Sequence, residues 1–312
     1  MENTESTNKL KEVLLKEGFN IRNLIQLTSG EYNQVFKGEL ENFGKVIIRI
    51  FPSSSWPEEG KLVWINRKLA ENNILNAEIL FLTRKGEVFK NGFMIQRFVE
   101  GELVEHLAKE NTDIYPEYYR DLGLLIKQIH AIELPKYGYI GDGTGNHKTF
   151  AGYINRDIDR FFESNGKLGI KVDIDVNEFK EIVIKGLSSV NTLKPVLNHN
   201  DLSPNNVIKN KDGELVLIDW DNAVSNIWIN DFAVMTYWMR NRHKDNSLRE
   251  DLISMFLEGY KPDLNTNELR RYEKYFHLLQ SFNLLGYYYA DKRMDAFKGT
   301  LDYFNQVFEE LK

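Results

Sequence analysis

His199-Asn200-Asp201-Leu202-Ser203-Pro204-Asn205-Asn206, followed downstream by Ile218-Asp219-Trp220-Asp221, is the stretch on which the reading of this chain turns. Between the two pieces lie apolar, β-branched runs at residues 207–209 and 215–218, separated by Asp212-Gly213. That dipeptide is a turn signal, so the two runs predict a hairpin. Folding the hairpin carries Asn206 and Asp219 towards each other. One reading makes these polar groups turn-formers that serve the backbone. The other makes them a set of oxygens for phosphate chemistry. Transfer of a phosphoryl group needs a carboxylate to orient the proton of the attacking hydroxyl, and oxygen ligands to hold Mg²⁺ against the nucleotide phosphates. Mg²⁺ keeps several waters, so one Asp and one Asn suffice. With His, Asp, Asn and Asp all at the required spacing, the second reading is the stronger. It makes Asp201 the base, Asn206 and Asp219 the metal ligands, and His199 a structural hydrogen-bonder.

Upstream of this stretch the texture changes. Residues 8–18 place Leu10, Val13 and Leu14 on one helical face, with Gly18 as a stop. Residues 25–51 hold short β-branched runs punctuated by Gly30, Gly38 and Gly44, which predict antiparallel strands. A helix over 57–71 follows, with Pro57 suited to its first turn. Strands are expected at 78–83 and 88–99. After Gly101 the pattern turns helical, most clearly over 118–132, where Leu122, Leu125, Ile126 and Ile129 recur. Helices are also expected over 153–165, 177–187 and from 230 to the end. Strands segregated from helices imply an α+β protein with two lobes. The boundary falls so that residues 1–98 form a nucleotide-binding lobe and 99–312 a catalytic and substrate-binding lobe.

Composition removes other classes. The 312 residues contain no cysteine, which excludes disulfides, thiolate metal sites and cysteine nucleophiles. Six histidines show no zinc spacing. A formal charge of −6 without a dense Lys/Arg cluster argues against a nucleic-acid partner. No stretch approaches about 18 uninterrupted apolar residues, so no membrane helix is expected, and the cytoplasm is the default. The expected partner is a small molecule, with the chain as monomer or homodimer.

The motif resembles the aminoglycoside phosphotransferase and choline kinase-like families, which share the protein-kinase-like fold. Those families carry His-x-Asp-x-x-x-x-Asn and then Ile-Asp-Trp or a close variant. The run Asp219-Trp220-Asp221 looks closer to the aminoglycoside phosphotransferases. Asp231-Phe232-Ala233 is similar to the family's Asp-Leu-Ala segment, where the Asp supports the loop. Leu122-Gly123, with His130 at the helix end, matches a "Leu-Gly…Ile-His" helix, and His130 is read as structural.

The resemblance covers residues 25 to 240 and implies a nucleotide site. Thr28-Ser29-Gly30-Glu31-Tyr32-Asn33-Gln34-Val35-Phe36 resembles the phosphate-covering loop, placing Ser29, Gly30 and Asn33 near phosphates. Read alone, this is an ordinary hairpin turn. Arg49 stands in the third strand where protein kinases place Lys; its plain reading is a surface arginine. An acid should pair with it from the next helix. Glu58 and Glu59 are the candidates and Glu59 is taken, although aligning Trp64 puts the position nearer Lys61 or Leu62. Met94-Ile95-Gln96-Arg97-Phe98-Val99-Glu100-Gly101 resembles the interlobe hinge, with adenine near Gln96 and Phe98. The implied activity is a Mg²⁺-dependent kinase using ATP or GTP on a hydroxyl of a small molecule; the charge of −6 would suit a cationic substrate and equally suits plain solubility. Aminoglycosides, choline and homoserine are among the acceptors of relatives. The rival is a pseudokinase that binds nucleotide without catalysis, and it would lack one of Asp201, Asn206 and Asp219.

Overall fold

The computed structural model describes residues 2–29, 34–53, 56–84, 89–141, 143–172 and 174–312, with the backbone alone for 2–6 and 28–29. In chain order, α1 (Glu2–Lys16) leads into β1 (Ile21–Ser29), β2 (Gln34–Leu40) and β3 (Gly44–Ile50). Helix α2 (Glu59–Glu71) precedes β4 (Ile79–Thr83), β5 (Phe93–Arg97), β6 (Gly101–Leu103) and α3 (Val104–Glu110). Then come α4 (Tyr115–His130), β7 (Gly138–Tyr139), α5 (Phe150–Lys167), α6 (Val176–Gly186) and β8 (Val196–Asn198). The hairpin β9 (Val207–Asn210) and β10 (Leu215–Leu217) is followed by β11 (Val224–Asn226). Four helices complete the chain: α7 (Ile229–Arg242), α8 (Asn246–Tyr260), α9 (Thr266–Ala290) and α10 (Met294–Leu311).

These elements form two compact units. The first comprises residues 1–111, Gly141–Gly143 and Pro204–Asn222; the second comprises Thr112–Ile140, Thr144–Ser203 and Ala223–Lys312. This is the α+β architecture expected from the sequence, an antiparallel sheet with its helix and then a largely helical part.

In the first unit, five antiparallel strands run in the order β1-β2-β3-β5-β4. Alternation along β3 decides what each face carries. Val46 and Ile48 join Leu10, Leu14, Phe36 and Phe93 in one apolar core. Arg49, out of phase with them, pairs in register with Val35 and Met94 in the middle of the sheet. On α2 the helical spacing buries Lys61, Leu62, Ile65 and Leu69. Phe51, Leu62 and Met94 form a separate apolar cluster with Trp220 against it. The hairpin is closed by Asn210, whose side-chain oxygen accepts from the amides of Asp212 (3.0 Å) and Glu214 (2.8 Å). Strand β6 adds to it, giving the order β10-β9-β6.

In the second unit a small sheet, β7-β11-β8, sits among the helices. Helices α4 and α8 meet backbone to backbone. A Cβ at Gly123 would stand 2.2 Å from the Phe256 carbonyl, and one at Gly259 would stand 2.0 Å from that of Arg120. That contact is the physical reason for glycine in the Leu122-Gly123 pair.

Helix α1 begins before residue 8, and the strand expected at 88–99 is the shorter β5, with Val88 outside the described residues. We expect Gly123→Ala to lower unfolding free energy by about 2–3 kcal/mol through overpacking. Urea titration should show an earlier midpoint at an unchanged slope, and an unmoved midpoint would contradict the close crossing.

Candidate active site

The hairpin positions two oxygen-bearing side chains. Leu217 pairs with Val207, and the Ile218 amide donates to the Asn206 carbonyl at 3.0 Å. Asn206 and Asp219 therefore flank the open end of the same hairpin, as its sequence predicts. Asn206 is half-buried in a short 3-10 turn, Pro204–Asn206. Asp219 has φ +62°, a left-handed conformation uncommon for a residue with a Cβ, and its side chain is 42% exposed. Such conformations collect at functional sites, where the surroundings hold them in place.

Against this end of the hairpin lies Arg49, buried on β3. Its Nη1 donates to Asp219 Oδ1 at 3.2 Å and to Asp221 Oδ1 at 2.9 Å, while Nη2 pairs with Asp221 Oδ2. Asp221 thus grips the guanidinium with both oxygens, and Asp219 takes one edge. Burial works against the Arg49 charge, but the two carboxylates outweigh it and raise the pKa above the ordinary guanidinium value. Burial pushes the Asp221 carboxyl up, to about 6; Arg49 opposes the rise and the charge of Asp219 adds to it. Lys61 from α2 is fully buried and donates from Nζ to the Asp221 carbonyl at 2.5 Å. The same Nζ lies 3.0 Å from Glu58 Oε2.

Of the other residues singled out in the sequence, Glu59 is exposed in the first turn of α2. Among the described residues it makes no ion pair with Arg49; the acids that meet Arg49 come from the segment after β10. Gln96 donates through Nε2 to the Ala77 carbonyl at 3.1 Å. It lines a narrow cleft together with Arg49, Leu62, Met94, Asp219 and Trp220. Phe98 is elsewhere on this unit: its amide donates to the Lys45 carbonyl at 3.1 Å, and Lys37 Nζ stands 3.9 Å over its ring. Gly30 and Asn33 lie outside the described residues, and Ser29 is described only as the last backbone position of β1.

Asp201 belongs to the second unit, and the chain passes into the first between Ser203 and Pro204. Asp201 is half-buried, and His199 behind it is fully buried. The backbone that carries Asp201 is held by Asp231, at the start of α7. Asp231 Oδ2 accepts from the His199 amide (2.8 Å) and Oδ1 from the Asn200 amide (2.7 Å). Oδ2 also lies 3.2 Å from His130 Nε2, whose other ring nitrogen meets the Tyr260 hydroxyl at 3.0 Å. The Asp231 amide returns the bond to Asn198 Oδ1 at 3.2 Å. Asn200, at φ +63°, is fastened by Asn230 through a bond of 3.0 Å. A buried carboxylate accepting two backbone amides is a strong, charge-assisted brace.

For a divalent cation the donor set is telling. Among the described residues no group of three or more His, Cys, Asp or Glu side chains could hold a metal. Asp219 instead offers a hard oxygen beside Arg49, and Asn206 carries a second at the other side of the hairpin's end. That suits Mg²⁺, which takes its remaining ligands from water and phosphate. It does not suit Zn²⁺, which is held by several protein ligands.

Two participants had no role in the sequence reading. Asp221 stood there only as part of the motif. Lys61 carried a signal that went unused: a lysine on the apolar stripe of Leu62, Ile65 and Leu69.

Replacing Asp231 by Asn should cost about 2–3 kcal/mol, because buried bonds to a charged acceptor are weakened. Hydrogen exchange should show the His199 and Asn200 amides losing protection. Unchanged exchange at both would remove Asp231 as the brace.

The sequence profile of the phosphotransferase enzyme family (APH) matches residues 23–272. The structure is similar to that of aminoglycoside phosphotransferase APH(4)-Ia, with a TM-score of 0.73 at 17% identity, covering 97% of this chain and 98% of that one. It is similar to APH(2")-IIa in its gentamicin complex, with a TM-score of 0.66 at 17% identity and coverage of 97% and 95%. Choline kinase LicA from Streptococcus pneumoniae matches with a TM-score of 0.64 at 15% identity, covering 98% and 99%. At these identities the likeness is one of fold.

Proposed function

The chain belongs to the phosphotransferase enzyme family, and on that premise we propose that it is a kinase that moves the γ-phosphate of ATP or GTP to a hydroxyl of a small molecule. The observation that carries the reading is the contact of Arg49 with Asp219 at the end of a hairpin whose other strand starts after Asn206, all within one unit. Two oxygen donors flank the mouth of a hairpin, and a buried guanidinium stands 3.2 Å from one of them. A metal-bound triphosphate needs that combination of hard oxygens and a fixed cation.

The residues divide the work. Arg49 offers N–H donors to phosphate oxygens. Asn206 and Asp219 would hold Mg²⁺, which when bound neutralises charge on the phosphates. Asp201 accepts the proton of the acceptor hydroxyl as its oxygen attacks the γ-phosphorus. The bond from that phosphorus to the bridging oxygen breaks, and nucleoside diphosphate leaves. Rate enhancement in such chemistry comes from positioning and charge neutralisation, without a covalent enzyme intermediate. The double brace of Asp231 fits this demand, because a base carried on a loose loop loses most of its advantage. Ser29, Gly30 and Asn33 would cover the phosphates, Gln96 would stand beside the nucleobase, and a cytoplasmic setting would supply the nucleotide.

The acceptor is proposed by class. Neighbouring structures carry hygromycin B with ADP, and kanamycin with GDP, so polyhydroxylated cationic sugars are the first candidates. Choline-like amino alcohols are the second, from the choline kinase neighbour. A panel of both classes with a coupled nucleoside diphosphate readout separates them.

Calorimetry and turnover together test the assignments. Asp201→Ala should abolish transfer while Mg-nucleotide still binds with affinity within a few-fold of wild type. Asn206→Ala and Asp219→Ala should weaken that binding about tenfold or more, since each removes a charged or hard-oxygen contact worth roughly 1.5–3 kcal/mol. Full turnover in Asp201→Ala would sink the base. A thermal shift with Mg-nucleotide but no turnover on any acceptor would favour the non-catalytic module, and no shift with either nucleotide would refute the kinase reading.

A further inference from the structure

We propose that Asp221 is the positioning residue for Arg49, supplying from the segment after β10 the carboxylate that the helix after β3 does not supply, and that Lys61 clamps α2 to the same point. This rests on the reading of Arg49 as the cation for nucleotide phosphates.

The argument begins with charge. A guanidinium this deeply buried must be matched by carboxylates, and its planar fork is fixed only by a bidentate partner. The buried stripe of α2 offers no acid. It presents Lys61, 1% exposed, while Glu59 faces solvent. Arg49 and Lys61 converge from two elements, and two cations sealed in one place repel unless an acceptor stands between them. Asp221 is that acceptor, itself 2% exposed. Its carboxylate takes both nitrogens of the Arg49 fork, and its carbonyl takes Lys61 Nζ at 2.5 Å. One residue thus fixes the cation of β3 and the helix α2 together.

The second carboxylate behaves differently. Asp219 touches Arg49 through a single 3.2 Å bond, and its side chain is 42% exposed. It can turn to another duty while Asp221 keeps the Arg49 charge matched and aimed. The arrangement therefore separates two tasks between neighbouring acids: Asp221 orients the cation, and Asp219 remains open to solvent.

The experiment uses the full-length chain and four variants: Asp221→Asn, Asp221→Glu, Asp221→Asn combined with Lys61→Glu, and Lys61→Met. Arg49 is followed by ¹⁵N-arginine NMR, with its guanidinium signals identified by their loss in Arg49→Lys. Affinity for Mg-ATP and Mg-GTP is measured by calorimetry. In wild type, hindered rotation should give resolved, slowly exchanging Nη signals. Asp221→Asn should collapse them and weaken nucleotide binding at least tenfold. The double variant returns an acid to α2, so it should restore the resolved signals and recover at least threefold of the affinity. A folded Asp221→Asn protein that keeps both the signals and affinity within twofold overturns the proposal. So does a loss that neither Asp221→Glu nor the double variant repairs, since general loosening of the fold would do the same. If Asp221→Asn does not fold, Lys61→Met decides. Broadened Arg49 signals with about threefold weaker binding support the clamp, and no change in either overturns it. Wild-type protein that binds neither nucleotide refutes the kinase reading, and the NMR signals still decide the Asp221–Lys61 clamp by themselves.

Discussion

A guanidinium placed in the middle of a sheet and shut away from water keeps its charge, and the fold tolerates it only where carboxylates are built around it. Arg49 imposes that constraint on the first unit. Its alternation on β3 sends it away from the apolar core of Val46 and Ile48, towards the side where α2 and the segment after β10 deliver their polar groups. Those elements answer with Asp219, Asp221 and Lys61. Removing one partner of such a set is far more damaging than removing the set, because the remaining charge is left buried and unmatched. The left-handed backbone at Asp219 belongs to this arrangement, in which two acids separated by one residue both reach one guanidinium.

The second unit solves a smaller version of the problem. There the groups to be satisfied are backbone amides of a loop that cannot pair in a sheet. Asp231 takes the amides of His199 and Asn200 and the ring of His130, and Tyr260 steadies that ring. In each unit one buried carboxylate organises a segment that carries a less buried carboxylate next to it. Asp221 stands beside Asp219, and Asp231 holds the loop of Asp201. Rigid support behind an accessible acid is what positional catalysis requires.

The legible parts of the sequence were those with a period or a fixed spacing. The β-branched run of β3, the apolar stripe of α4 and the turn dipeptide Asp212-Gly213 each have a counterpart in the structure. The strands β6, β7, β8 and β11 span two or three residues and carry no period that a sequence could reveal. The motif stood out because its polar residues fall at fixed spacing, with Asn206 and Asp219 at the two ends of one hairpin. The partner of Arg49 was not. An acid was expected from α2, whereas Asp221 arrives from far along the chain, where only tertiary structure can place it. Lys61 was visible as a charge on an apolar stripe, and that kind of conflict marks a residue with a partner.

The central claim is that a phosphoryl group passes from nucleotide to a small-molecule hydroxyl under the control of Asp201. ³¹P NMR of Mg-nucleotide with the protein and a pool of amino sugars and amino alcohols, run in parallel with Asp201→Ala protein, tests it most directly. The account predicts a phosphomonoester resonance that grows in step with nucleoside diphosphate in the wild type and is absent in the variant. Equal phosphomonoester signals from both proteins, or wild-type nucleoside diphosphate matched only by inorganic phosphate, would contradict it.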